Sequence, residues 1–77
     1  MIKKLISHIV RYLVADSQTV RVEEDSVDNA LSYKVYVAQD DIRRVIGKEG
    51  RIIKAIRALA IIVDDKKHDS ISIDVAH

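Results

Sequence analysis

Residues 45 to 56, VIGKEGRIIKAI, hold both glycines of a 77-residue chain that contains no proline. Gly47 and Gly50 stand three apart, with Lys48 and Glu49 between them and Arg51 directly after. Glycine accepts backbone angles that other residues avoid, and with no side chain it lets another backbone come close. A helix beginning just after Gly50 would turn its unpaired N–H groups and positive dipole end toward the loop, where an anion is favoured. Lys48 and Arg51 add charge at the same place, and Val45, Ile46, Ile53 and Ile56 supply an apolar border. A sugar-phosphate strand carrying bases matches both properties. A helix cap beside core isoleucines accounts for each feature singly, but not for their convergence.

Two other phosphate-binding loops fit less well. The P-loop ends in Gly-Lys-Ser/Thr, whereas Gly47-Lys48 is followed by Glu49, and a dinucleotide fingerprint requires a third glycine. Catalysis finds little to work with. Cysteine is absent, no Ser-His-Asp set is evident, and His8, His68 and His77 are too scattered for a metal cluster. No metal or cofactor is expected. The acid pairs Asp40-Asp41 and Asp64-Asp65 read as a helix cap and a solvated loop.

Net charge is only +1, but it is unevenly spread. Arg43, Arg44, Lys48, Arg51, Lys54 and Arg57 face a single acid, Glu49, so residues 43 to 57 carry +5 and the rest of the chain −4. Such a basic segment on a near-neutral domain suits a phosphate-binding surface.

These residues must be positioned by one small aliphatic core, since 77 residues leave no room for a second. Residues 2 to 14 place Ile2, Leu5, Ile6, Ile9, Val10 and Leu13 at helical spacing, giving an amphipathic helix. Two lysines before that apolar run resemble a signal peptide, but Ser7, His8 and Arg11 interrupt it and no cleavage site follows. No stretch approaches the roughly 18 to 20 apolar residues of a bilayer span. A soluble cytoplasmic protein with no membrane partner is expected.

Further along, TVRVEE alternates as a strand, Asp25 to Asn29 form an acidic turn, and SYKVYVA alternates again. Asp40 and Asp41 are placed to cap a short helix carrying Ile42, Val45 and Ile46, which Gly47 stops. A longer helix runs from about residue 51 to 63, DDKKHD forms a charged loop, and SISIDVA supplies a last strand. The order is α-β-β-α-α-β in a single α+β domain spanning residues 1 to 77.

With its apolar pair, Gly-X-X-Gly loop and following isoleucines, residues 45 to 56 resemble the signature of KH domains. The element order is similar to the type II KH arrangement, a three-stranded sheet packed against three helices. Nearly the whole chain resembles the small stand-alone bacterial KH proteins of the KhpA family. That resemblance implies a loop that holds about four nucleotides of single-stranded RNA, or DNA, beside an apolar groove for the bases. Carried over, the loop is Gly47, Lys48, Glu49 and Gly50, with Ile46 and Ile53 at the groove. Arg51, Lys54 and Arg57, and Arg43 and Arg44 before the loop, become the phosphate contacts. The family commonly has a proline before the short helix and a small residue shortly before the loop, where this chain has Gln39 and Arg43. The resemblance also implies pairing, as a homodimer or with a larger KH-containing protein, and a role as RNA chaperone or post-transcriptional regulator. A protein-interaction module with secondary RNA binding is the competing reading.

At about 100° per residue, Ile52, Ala55, Ile56, Leu59, Ile62 and Val63 gather on one side of the long helix as its expected core face. Ile61 falls among the charges with Ala58 beside it, and this pair is the expected dimer contact. The tyrosines are Tyr12, Tyr33 and Tyr36, with no Phe or Trp. A stacking platform for bases is therefore expected only if Tyr33 or Tyr36 is exposed.

Overall fold

A computed structural model describes residues 1–76; His77, one of the three histidines weighed above, lies outside the described residues. Helix α1 (Ile2–Leu13) buries Ile2, Ile6 and Val10, one residue per turn. Strand β1 (Arg21–Val27) pairs antiparallel with β2 (Ala30–Tyr36) across a two-residue turn at Asp28 and Asn29. Asp28 adopts a φ of 55°, which aspartate tolerates better than most residues. The first strand thus runs through the stretch expected as an acidic turn, because cross-strand pairing holds Asp25, Ser26 and Val27 opposite Ser32, Leu31 and Ala30.

Helix α2 (Ile42–Ile46) and helix α3 (Arg51–Asp64) flank the two-glycine corner. Strand β3 (Ser70–Val75) then pairs in parallel with β2, giving the sheet order β1-β2-β3. The observed order α-β-β-α-α-β agrees with the sequence reading.

Alternation divides the sheet into two faces. Val22, Leu31, Tyr33, Val35, Ile71, Ile73 and Val75 point into the core, where they meet α1 and α3. Glu23, Asp25, Ser32, Lys34, Ser72 and Asp74 lie on the opposite, open face. Full burial of an aliphatic side chain contributes about 1.5 to 3 kcal/mol, and Ile6, Val10, Val35 and Val45 are fully buried. Tyr33 is buried too, and burial followed by its neighbour Glu24 raises its phenol well above the ordinary range. Among the described residues, no helix is long and apolar enough to cross a membrane.

Two acidic readings are corrected. Asp41 does not cap α2 with its side chain. Its buried carboxylate accepts the N–H groups of Ala15 and Asp16, both at 3.0 Å, and pairs with Arg44. Asp64 is not part of a solvated loop. It is buried at the end of α3 and accepts the His68 N–H at 2.9 Å and the His68 Nδ1–H at 2.6 Å. The Asp41 carboxylate brings together backbone 25 residues apart, which local spacing does not reveal, whereas Asp64 closes a local turn onto His68 four residues later.

Helix α3 is also rotated from its expected phase. Ile56, Ala60 and Asp64 are buried and Ile52 and Ile53 are half-buried, while Leu59 and Ile62 are 46% and 71% exposed. Ala55 and Val63 are also exposed. Between its charged ends, Arg51 and Asp64, only Lys54 and Arg57 break an apolar surface, so periodicity weakly fixes its phase. Packing against the sheet and the tight corner at Gly47 select it.

Candidate nucleic-acid interface

Helix α2 ends because Gly47 turns away from helical geometry, with φ 76° and ψ 173°. This is a region essentially reserved for glycine. A β-carbon at Gly47 would fall 2.6 Å from Ile52 Cγ1 and 2.9 Å from the Ile52 backbone nitrogen. Lys48 to Gly50 form one tight turn, closed by the Gly50 N–H donating to the Gly47 carbonyl at 3.1 Å. Glu49 holds a φ of 58°, unusual for a residue with a side chain.

Gly50 also has a positive φ, 75°, but a side chain there would meet only ordinary contacts. A β-carbon there would come no closer than 3.8 Å to Lys54 Cε. The two glycines therefore differ: Gly47 is demanded by the protein's own packing, while Gly50 leaves bare backbone at the head of α3. No side chain caps that helix end.

On one flank of the corner, Ile46 and Ile53 line a shallow groove together with Ile73, Asp74 and Val75 of β3. The structure thus joins two isoleucines chosen from sequence to the last strand of the chain, which sequence reasoning did not include. Alternation in SISIDVA identified Ile73 and Val75 as apolar, but not that their edge would border the loop.

Lys48, Arg51, Lys54, Arg43 and Arg44 are exposed around this corner. Two of the basic residues also have partners within the protein. Arg44 pairs with Asp41, and the Arg57 Nε–H donates to the Ile71 carbonyl at 3.1 Å. Arg57 therefore joins α3 to β3 while remaining exposed. Ala58 is exposed, and Ile61 is 48% exposed beside Arg57, His68 and Ile71 at the far end of the helix. Leu59 and Ile62, assigned to the core from sequence, add to this exposed apolar surface.

A family model described as KhpA/KhpB, KH domain, matches residues 3–75. The chain belongs to this KH-domain family. Among its relatives, an RNA-binding protein KhpA of Listeria monocytogenes is 40% identical over 73 residues, covering 95% of this chain and 96% of that protein. An RNA-binding protein KhpA of Chlamydia trachomatis is 37% identical over 73 residues, covering 95% and 94%. The KhpA/KhpB assignment agrees with the expectation of a binding domain rather than an enzyme, since these relatives are named for binding.

The fold recurs in a crystal structure of an Aquifex aeolicus Era variant bound to GDP and AlF4−. That structure aligns with a TM-score of 0.67 at 14% identity, over 97% of this KH chain and 30% of the Era chain.

Proposed function

We propose that this chain binds single-stranded RNA, with the Gly47–Gly50 loop against the phosphates and the groove beside Ile46 and Ile53 taking the bases. The observation that carries the reading is the bare, uncapped corner at Gly50, set between exposed cations and an apolar groove. The family supports it, because its KhpA relatives are named as RNA-binding proteins. The positive dipole end of α3, with no side chain over it, favours a phosphate at the loop, while the Gly50 and Arg51 N–H groups are taken by the Gly47 and Lys48 carbonyls. Lys48, Arg51 and Lys54 add mobile charge, with Arg43, Arg44 and Arg57 around them.

The core side of the sheet hides Tyr33, and Tyr36 is engaged on the open face with Arg21 and Glu23. The groove therefore has no tyrosine among its lining residues, which favours weak, sequence-tolerant binding. Such binding suits an RNA chaperone or post-transcriptional regulator in the cytoplasm; single-stranded DNA offers the same backbone chemistry.

Pairing is the second part of the proposal. Ala58 and Ile61, with the exposed Leu59 and Ile62, present an apolar surface on α3 away from the loop. A homodimer, or a heterodimer with a larger KH-containing protein, would cover it. Two linked grooves would then raise the affinity for one RNA strand.

The double substitution Lys48→Asp, Glu49→Asp places negative charge where the phosphate sits and leaves the core untouched. Fluorescence anisotropy with a short single-stranded RNA is expected to show binding lost and circular dichroism to show the fold kept. Unchanged binding would remove the loop from the site. Affinity of the unaltered protein is also expected to fall steeply with salt as phosphate contacts are screened; a flat profile would favour protein recognition as the main activity.

A further inference from the structure

Helix α1 carries a second basic surface. It contains no acid, and Lys4, His8 and Arg11 are exposed at spacings of four and three, which places them along one face. Beside them Tyr12 is 89% exposed, the one tyrosine left largely in solvent. A single exposed ring is ordinary, but one set next to a row of cations offers a base a face to stack on and its phosphates a charged track.

The fold brings the Tyr12 end of this surface to the loop end of the molecule. Met1 and Ile2 share a cleft with Val63 and Asp64, so α1 begins where α3 ends. At its other end, the Asp41 carboxylate ties Ala15 and Asp16 to the head of α2. Helix α2 is only five residues, or roughly 8 Å long, and it leads directly into Gly47. Tyr12 therefore lies at the end of α1 nearest the loop, three residues before Ala15. Arg43 and Arg44 are exposed on α2 between them, and Arg44 shares the Asp41 carboxylate. The acids on this side are Asp41, buried and paired, the exposed Asp16 and Asp40 near the helix junction, and the exposed Glu49 in the loop itself. Beyond the junction α1 itself carries no acid, although Glu24 of β1 stands beside its first residues, Met1 to Lys3, and the row from Lys4 to Arg11 extends the positive surface by roughly 10 Å.

We propose that α1 is a second segment of the RNA site, where a strand leaving the loop stacks a base on Tyr12 and passes its phosphates along Arg11, His8 and Lys4. The inference rests on the reading of the loop as a single-stranded RNA site. It extends that site beyond the roughly four nucleotides a KH loop clamps and supplies the aromatic platform that the groove lacks.

The test compares labelled single-stranded RNAs of four and twelve nucleotides, composed of A and C, against the unaltered protein, Tyr12→Ala and Tyr12→Phe. Tyr12→Ala is expected to weaken binding of the twelve-nucleotide RNA by roughly ten-fold, within the range of one lost base–aromatic stack. Affinity for the four-nucleotide RNA stays unchanged, and Tyr12→Phe behaves as the unaltered protein. In NMR titrations, the amides of residues 8 to 13 shift with the longer RNA and not with the shorter. Equal affinity of Tyr12→Ala for the longer RNA would overturn the proposal while leaving the loop assignment standing, as would an equal loss for both lengths. A change of oligomeric state in light scattering without a change in RNA affinity would assign α1 to protein contact and overturn it as well. Failure of the unaltered protein to bind either RNA would overturn both readings together.

Discussion

Gly47 and Ile52 are packed so closely that a β-carbon on the glycine would sit 2.6 Å from Ile52 Cγ1. This contact joins the end of α2 to the first turn of α3 and sets the angle at which the loop is presented. Gly47→Ala therefore meets both a clash and a forbidden backbone region, and is expected to destabilise the fold by about 3 kcal/mol. Gly50→Ala meets only the left-handed backbone cost, about 1 to 2 kcal/mol, yet adds a methyl group at the proposed RNA-backbone contact. Urea unfolding should separate the two, with Gly47→Ala markedly weaker in stability and Gly50→Ala folded but poor in RNA binding. Equal stability losses would contradict the division between them.

Asp41 predicts a response to acid. The N–H groups of Ala15 and Asp16, and then Arg44, outweigh the cost of burial and hold its carboxyl below the ordinary carboxylate range. A folded-state pKa below the unfolded value gives stability that is fully present above the unfolded pKa and lost as pH falls through the folded one. Asp64 acts in the same direction: burial alone would raise it, but the bonds from His68, with Lys67 nearby, lower it. Unfolding midpoints are expected to be level near neutrality and to fall below about pH 4. Asp41→Asn should lower the midpoint at pH 7 and flatten the acid decline. A variant that kept the full acid dependence would show that Asp41 does not contribute to it.

Ile61 tests the proposed pairing. The unaltered chain is expected to run as a dimer in light scattering and Ile61→Asp as a monomer. Because Ile61 is already 48% exposed, the charge enters at little cost to the core, and circular dichroism should be unchanged. If the substituted chain kept its size, the pairing surface would not include Ile61.

Local pattern carried the sequence reading a long way. The order of helices and strands and the position of the loop were legible, because each depends on spacing over a few residues, whereas Ile46 and Ile53 were picked out by the family resemblance from a wider apolar border of which Val45 and Ile56 turn out to be buried. Glycine placement and alternation report backbone geometry directly, and the basic cluster around the loop is visible as charge against number. The phase of α3 was not legible, since a helix apolar on most sides offers several faces and only packing against the sheet chooses one.

Tertiary contacts decided the rest. Asp41 reads as a helix cap in sequence, but its carboxylate meets Ala15 and Asp16 across the fold, and burial at the end of α3 turns Asp64, read as part of a solvated loop, onto the nearby His68. Ile73 and Val75 became groove residues because β3, last in sequence, returns beside β2 and brings its edge to the loop. Tyr12 belonged to an amphipathic helix by sequence, and only the docking of α1 onto the core left its ring in solvent at the loop end. The sequence determined which local structures form and where the bare, charged corner lies. Its neighbours were set by the fold, because burial and long-range pairing are properties of the assembled core rather than of any short stretch of chain.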